Sequence, residues 1–222
     1  PITLLFDGEQ LHRDSLGNES VVRAGDVQWT TAGRGIIHAE APTKEFVKKG
    51  GTIEGIQLWL NLPAKYKMIP PAYQHVRNED MQTIKDVSEN INLKVVAGEQ
   101  RGKFGVIKTQ TEVNVFMIEA TGEGNIDIDI PESHQSCVYL LDGEVKVNDS
   151  KKLNKGAFQM AVFNLDGNTI KLEVLKQSKL IVISGEPIEE KITQYGPYVM
   201  NTQTEILEAM RDFQQGKMGY LY

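Results

Sequence analysis

The sequence predicts an all-β protein built from two tandem β-barrels and one short C-terminal α-helix. The first observation is that strand-like runs of about five residues alternate with turns rich in glycine, asparagine and aspartate, as in barrels and sandwiches. The second is an internal echo between Thr3–Leu11 and Val138–Lys146, which indicates two copies of one β unit. The third is a change to helical periodicity near the C-terminus, beginning at Thr202.

The first half contains short strands separated by tight turns. Ile2–Phe6 is an apolar, strand-like run, Asp7-Gly8-Glu9 predicts a hairpin turn, and Gln10–Asp14 is then its return strand. The near-continuous apolar run Thr52–Leu62 predicts a strand buried on both faces, with Trp59 in the core or in a pocket wall.

A connecting segment and a second set of strands follow. Three prolines in Pro63–Tyr73 break regular structure, so the segment 63–92 is predicted to link the two halves. In the second half, Asn125–Ile130 alternates isoleucine with polar residues, which predicts one buried and one solvated face, and Phe158–Phe163 predicts a later strand. We therefore expect a first barrel over residues 1–92, a second over 93–200, and a helix and tail over 201–222.

The C-terminal segment carries the signals of a single amphipathic helix. Thr202 and Glu205 have the spacing of a capping box, which satisfies backbone donors at the start of a helix. The apolar residues that follow recur at helical spacing: Ile206, Met210 and Phe213. Thr43–Gly51, by contrast, is predicted to be a polar loop.

Composition excludes several classes of protein. The 222 residues carry a net charge of −6, which argues against a general surface for binding nucleic-acid phosphates. The single cysteine, Cys137, excludes an intrachain disulfide and a thiolate metal cluster. The apolar runs are too short to span a membrane. We expect a cytoplasmic protein (nuclear as well if eukaryotic) that contacts neither membranes nor nucleic acid directly.

The stretch Gly25–Glu40 contains the pair of residues most suited to chemistry. His38 and Glu40 are two apart, so in a strand they point to one face. An imidazole and a carboxylate side by side suit Fe, Mn, Ni, Cu or Zn better than Ca or Mg. Two donors hold a transition metal weakly, and His-x-Glu also occurs by chance. From these residues alone, a metal site and an ordinary strand pair both remain open.

Longer motifs resemble the pirin family of the cupin superfamily along essentially the whole chain. The matching segments are His12–Gly17, Gly25–Trp29, Thr31–Glu40, Gln57–Pro63, Lys67–Tyr73, Gly185–Pro187 and Gln194–Thr202. The resemblance implies two cupin barrels of the jelly-roll type, with the C-terminal helix packed back onto them.

The resemblance also implies a mononuclear metal, usually iron, held in the first barrel by three histidines and one glutamate. His38 and Glu40 match the second half of that ligand set. The other half is a His-x-His that precedes the strand Ile2–Phe6, so we expect that this chain lacks the N-terminal segment that carries it. By family position neither His12, His75 nor His134 replaces that pair, which implies an incomplete or metal-free site in this form.

For function, the resemblance implies a quercetin 2,3-dioxygenase-type oxygenase that acts on flavonol-like substrates. Glu40 would serve both as a metal ligand and as the base that accepts the flavonol 3-hydroxyl proton. Trp29, Trp59 and Met68 are candidates for an apolar wall around the substrate. The alternative is a non-enzymatic, iron-dependent redox sensor that binds a transcription regulator or a metabolic enzyme. A third interpretation is a fragment without metal.

Overall fold

The structure, a computed structural model, describes residues 1–157 and 159–221. Its strands are β1 (Ile2–Asp7), β2 (Glu9–Asp14), β3 (Glu19–Arg23), β4 (Val27–Thr31), β5 (His38–Pro42), β6 (Glu54–Leu58), β7 (Ala72–Val76), β8 (Gln82–Lys85), β9 (Ile91–Ala97), β10 (Glu99–Gln100), β11 (Lys103–Phe104), β12 (Val113–Ala120), β13 (Gly124–Asp129), β14 (Gln135–Asp142), β15 (Glu144–Val147), β16 (Lys151–Asn154), β17 (Met160–Val162), β18 (Thr169–Val174), β19 (Ser178–Gly185), β20 (Thr193–Tyr195) and β21 (Tyr198–Met200). Its helices are α1 (Lys44–Lys49), α2 (Ala64–Lys67), α3 (Gln203–Gln214) and a 3₁₀ turn (Asn78–Asp80). The predicted all-β class with a C-terminal helix is therefore confirmed.

The chain forms two compact units. The first contains Pro1–Glu79 together with the segment that begins at Ile188, and the second is Asp80–Pro187. These limits differ from the predicted boundaries at residues 92 and 200. The difference arises because β8 pairs with β9 of the second unit, whereas the chain after Ile188 returns to the first.

The first unit contains two β-sheets and a small β-ribbon. One sheet has the order β6-β1-β4-β7 and the other β3-β2-β5, and the ribbon is β20-β21. The predicted hairpin at Asp7-Gly8-Glu9 is wrong, because β1 and β2 belong to different sheets. The chain instead turns a corner from one sheet to the other, and a register irregularity between Leu5 and Asp7 marks the end of pairing between β1 and β6.

The second unit repeats this corner. Its sheets have the orders β17-β14-β19-β12-β9-β8 and β13-β18-β15-β16, with β10-β11 as a separate pair. A register irregularity between Leu140 and Asp142 precedes the change of sheet from β14 to β15. The two Asp-Gly-Glu turns thus have equivalent places in the two units, as the internal echo predicts.

The core of the second unit lies between its two sheets. Phe116 comes from one sheet and Ile128 from the other, and both side chains are fully buried. In β13, Ile126 and Ile128 are buried and the aspartates are exposed, which confirms the predicted alternation. Of the predicted strand Phe158–Phe163, Phe158 lies outside the described residues, and β17 covers Met160–Val162.

Two expectations for the first unit are wrong. β6 spans only Glu54–Leu58 and is an edge strand with alternating exposure, and Trp59 is 55% exposed. An edge strand pairs on one side only, so a near-continuous apolar sequence does not ensure burial on both faces. Thr43–Gly51 forms α1 rather than a loop, because the Thr43 hydroxyl accepts a hydrogen bond from the Phe46 amide and caps the helix.

The predicted C-terminal helix is confirmed as α3. Thr202 and Glu205 form both hydrogen bonds of the capping box, Ile206 is fully buried, and α3 packs against the β20-β21 ribbon. Tyr222, the last residue of the predicted tail, lies outside the described residues. Among the described helices, none has the length and apolar character that crossing a membrane requires.

Candidate metal centre

Four polar side chains meet on one face of the three-stranded sheet of the first unit. In the antiparallel pair β2–β5, His12 lies directly opposite Glu40, and Asp14 lies directly opposite His38. Residues two apart in a strand share a face, and directly opposed residues have neighbouring Cβ atoms. Strand pairing alone therefore brings the four side chains into one cluster.

Three of these side chains can share a metal ion. One donor atom from each of His12, His38 and Glu40 lies within 4.8 Å of the other two. The Nδ1 atoms of His12 and His38 lie 3.7 and 3.5 Å from the same oxygen, Glu40 Oε1. Donors bonded to one ion at about 2.1 Å lie roughly 3–4 Å apart, so small side-chain rotations bring this set to bonding geometry.

The unpaired nitrogens support this fit. His12 Nδ1 and His38 Nδ1 are buried and have no hydrogen-bond partner among the described residues. A buried polar atom without a partner costs free energy, which a bound cation would offset. Two imidazoles and one carboxylate are also the donor set of mononuclear non-haem iron sites, so these residues fit a transition metal.

Asp14 fixes which nitrogen of His12 is available. His12 Nε2 lies 3.2 Å from Asp14 Oδ2. Burial raises the pKa of Asp14, but hydrogen bonds from the Asn18 side chain, His12 and the backbone amides of Asn18 and Leu16 outweigh it and lower the pKa below its usual value. An ionised Asp14 only accepts hydrogen bonds, so Nε2 of His12 donates and the neutral ring has its lone pair on Nδ1.

The opposite sheet holds Glu40 in place. Gln28 of β4 and Gln57 of β6 flank Thr3 of β1 in register, and the Thr3 hydroxyl accepts hydrogen bonds from both amides at 3.2 and 3.3 Å. The same amide nitrogens donate to Glu40, Gln28 to Oε1 and Gln57 to Oε2 at 2.8 Å. Glu40 therefore enters the site with both carboxylate oxygens oriented from across the unit.

Glu40 is ionised under all ordinary conditions. Burial raises its pKa, but interactions with the imidazoles of His12 and His38 outweigh burial and lower the pKa to about 2. Metal binding requires a deprotonated carboxylate, so no proton has to leave Glu40 before an ion binds.

Tyr73 completes the surroundings of His12. Its ring stacks on the imidazole with a centroid separation of 4.1 Å and an interplanar angle of 7°. Its hydroxyl lies 2.6 Å from the Ser20 hydroxyl and donates to Gln28 Oε1 at 3.3 Å. Burial raises the pKa of Tyr73. The phenol therefore stays neutral and fixes both the His12 ring and the Gln28 amide.

The other histidines lie apart from this cluster. His75 is partly buried, and its Nε2 lies 3.1 Å from Asp26 Oδ2. His134 belongs to the second unit, where its Nδ1 lies 3.1 Å from the buried Ser184 hydroxyl. Neither residue joins His38 and Glu40.

The residues predicted to form an apolar wall do not face the cluster as a group. Trp29 is buried but alternates along β4 with Gln28, so it points to the opposite face of that sheet. Trp59 and Met68 are 55% and 60% exposed and lie at the surface.

His12 is the residue that sequence reasoning missed. The prediction excluded it by family position, because it lies beyond the predicted turn at Asp7-Gly8-Glu9, whereas β2 in fact pairs with β5, which contains His38 and Glu40. A signal was present, since His12-x-Asp14 repeats the i, i+2 spacing of His38-x-Glu40. The pairing of those two segments is what the sequence did not reveal.

A two-sheet β unit that gathers imidazole and carboxylate donors between its sheets defines a cupin-type protein with a candidate metal centre. The sequence matches the family descriptions "Pirin" over residues 1–60 and "Pirin C-terminal cupin domain" over residues 115–219. It is 34% identical to a pirin-like protein of Solanum lycopersicum over 220 residues, covering 99% of this chain and 73% of that protein. It is 33% identical to pirin of Rattus norvegicus over 219 residues, covering 98% and 73%.

A solved structure is also similar. The crystal structure of quercetin 2,3-dioxygenase from Acinetobacter baumannii matches with a TM-score of 0.91 and 37% identity, covering 98% of this chain and 75% of that one. The chain belongs to the pirin family of the cupin superfamily, as the sequence motifs indicated.

Proposed function

We propose that the first unit binds one transition-metal ion through His12, His38 and Glu40, and that the protein is a flavonol-type oxygenase. The observation that carries the proposal is the pair of buried, unpartnered imidazole nitrogens that converge on one oxygen of Glu40. Iron is the metal we propose, with Mn, Ni, Cu or Zn as alternatives that the same donors accept.

The protein's own residues would hold the metal and order its surroundings. Asp14 presents the Nδ1 lone pair of His12, and the amides of Gln28 and Gln57 orient Glu40. When bound, the metal would supply Lewis acidity that lowers the pKa of a coordinated flavonol hydroxyl and positions the substrate.

We also propose Glu40 as the acceptor of the flavonol 3-hydroxyl proton. Its pKa of about 2 makes it a weak base. A proton therefore moves to Glu40 only from a hydroxyl that is already strongly acidified, and its role as a ligand comes first.

The choice of substrate class is supported by similarity. The similar protein of known structure from Acinetobacter baumannii is named a quercetin 2,3-dioxygenase. We accordingly propose a flavonol or a related small aromatic compound as the substrate. A cytoplasmic location remains part of this proposal.

The test is to load the protein with Fe(II) under anaerobic conditions, add quercetin, and admit O₂. We expect loss of the flavonol absorbance with matching uptake of O₂, and loss of both in Glu40→Gln and His38→Ala. His75→Ala, a change at a histidine outside the cluster, is the control that should retain activity.

Iron binding without consumption of quercetin or O₂ would count against the oxygenase. That result would favour the alternative, a redox sensor that binds a transcription regulator or metabolic enzyme, and partner binding would then be compared for the Fe(II) and Fe(III) forms. Failure to bind any transition metal would overturn both.

A further inference from the structure

The last described residues form a compact segment after α3, which we call the C-terminal hook (Gly216–Leu221). The chain reverses at Gly216, whose carbonyl accepts a hydrogen bond from the Gly219 amide at 3.0 Å. Lys217 Nζ lies 2.7 Å from Asp212 Oδ1 and ties the hook to the last turn of α3. A Cβ on Gly216 would lie 2.0 Å from the Tyr220 hydroxyl, so the tyrosine ring folds closely over this turn.

The hook is bonded to the region of the metal cluster through one hydroxyl group. Ser15 Oγ donates to the Met218 carbonyl at 2.6 Å and accepts from the Ile37 amide at 3.1 Å. The Ser15 amide also donates to the Ile37 carbonyl at 2.8 Å. Ser15 therefore joins the hook to the loop that leads into β5.

The same loop is enclosed on two sides. The Met218 side chain packs against Gly35, where an added Cβ would lie within 2.8 Å of its Cγ, Sδ and Cε atoms. On the other side, the Arg34 amide donates to the Ile69 carbonyl at 3.0 Å. The backbone that delivers His38 is thus held between the hook and the segment around Ile69.

Ser15 is linked to both histidines of the proposed metal centre. In the chain it follows Asp14, which binds His12 Nε2. Through its hydrogen bonds it fixes Ile37, which precedes His38. Loss of the hook contact would therefore loosen both histidines at once, although the hook contains no donor to the metal itself.

We propose that the C-terminal hook is a positioning element for the metal centre, with Ser15 as the positioning residue. The inference rests on the metal site of the proposed function. The hook lies about 180 residues after His38 in sequence, and we infer that its contacts nevertheless affect metal affinity. Residues that orient metal ligands from outside the coordination sphere typically change metal affinity by about 10–100-fold when removed.

The experiment measures Co²⁺ affinity by competition with a chelator and the visible absorption of bound Co²⁺, which reports coordination geometry. The variants are Ser15→Ala, which removes the bridging hydroxyl, and Met218→Ala, which removes the packing on Gly35. Lys217→Ala is the matched control, because it removes only a surface ion pair between the hook and Asp212 of α3 and leaves the Ser15 and Gly35 contacts in place. Unfolding of the metal-free proteins in urea is measured in parallel.

We expect Ser15→Ala to weaken Co²⁺ binding by about tenfold and to shift the visible bands, and Met218→Ala to act in the same direction. Lys217→Ala should match the wild type in both readouts. If Ser15→Ala does not fold, Met218→Ala alone decides.

If Ser15→Ala and Met218→Ala both keep the wild-type Co²⁺ affinity and spectrum while His38→Ala loses binding, the positioning role is overturned and the proposed metal site is retained. The positioning role is equally overturned if the two variants only lower stability in urea and leave the Co²⁺ spectrum unchanged. A wild-type protein that binds no Co²⁺, or a His38→Ala protein that binds it normally, would overturn the proposed function and this inference with it.

Discussion

The role of His12 is the prediction that most directly tests the site. His12→Phe removes both ring nitrogens but keeps a planar ring that can stack on Tyr73. Removal of a residue that only orients a ligand weakens metal binding by about 10–100-fold. Because His12 would supply one of the three proposed donors, its removal should weaken metal binding by more than about 100-fold, which corresponds to about 2.8 kcal/mol of binding free energy.

The assay compares the dissociation constants of Co²⁺ or Zn²⁺ by chelator competition at fixed pH. Asp14→Asn provides an intermediate case, since it changes the group that holds His12 Nε2 but removes no donor, and should fall within about 10–100-fold. His75→Phe is the matched control, because His75 is also partly buried beside a carboxylate but lies outside the cluster. It should leave the affinity unchanged.

The reasoning is refuted if His12→Phe binds within about threefold of the wild type while His38→Phe does not bind. His12 would then be a neighbour of the site and not a ligand. Urea unfolding of the metal-free variants separates a loss of donors from a loss of fold.

Three further outcomes follow from the same contacts. Burial opposes ionisation of Asp26, but hydrogen bonds from His75 and from the Arg23 and Asn78 amides outweigh burial and lower the pKa of Asp26 below the ordinary 3.8. The ionised carboxylate therefore stabilises the fold above about pH 4, and this stabilisation is lost as the pH falls through the folded-state pKa. Asp26→Asn should therefore flatten the acid limb of a thermal-stability profile, and an unchanged limb would contradict this. Phe116→Ala should cost about 3–5 kcal/mol of unfolding free energy in denaturant, yet leave metal affinity unchanged because every donor lies in the first unit. Thr202→Ala should cost about 1 kcal/mol through loss of the capping box, seen as a lower urea midpoint, whereas Thr204→Ala should have little effect.

The sequence alone was sufficient for the type of fold. The alternation of β13, the glycine-rich turns and the capping box of α3 are patterns of residues close together in sequence. Such patterns are sufficient to predict strands, turns and helices, because each element buries its residues with a regular period. The two Asp-Gly-Glu segments also correctly indicated a repeated unit. The hairpin predicted at Asp7-Gly8-Glu9 was wrong, because a turn signal marks a change in chain direction but does not determine which strands then pair.

Exposure at the edges of the first unit was likewise decided by tertiary structure. Trp59 follows an apolar run, yet it lies at the surface because β6 is an edge strand. The return of the chain to the first unit after Ile188 also could not be predicted from composition, since it depends on contacts between segments far apart in sequence.

The candidate metal centre was likewise predicted only in part from the sequence. The spacing of His38 and Glu40 places both on one face of a strand, and this follows from the geometry of the extended chain alone. That His12 joins them depends on the register of β2 against β5, which sets His12 opposite Glu40, and on the amides of Gln28 and Gln57 from the other sheet. Register and sheet order are set by the burial of whole faces across distant strands, so only the tertiary structure could complete the donor set.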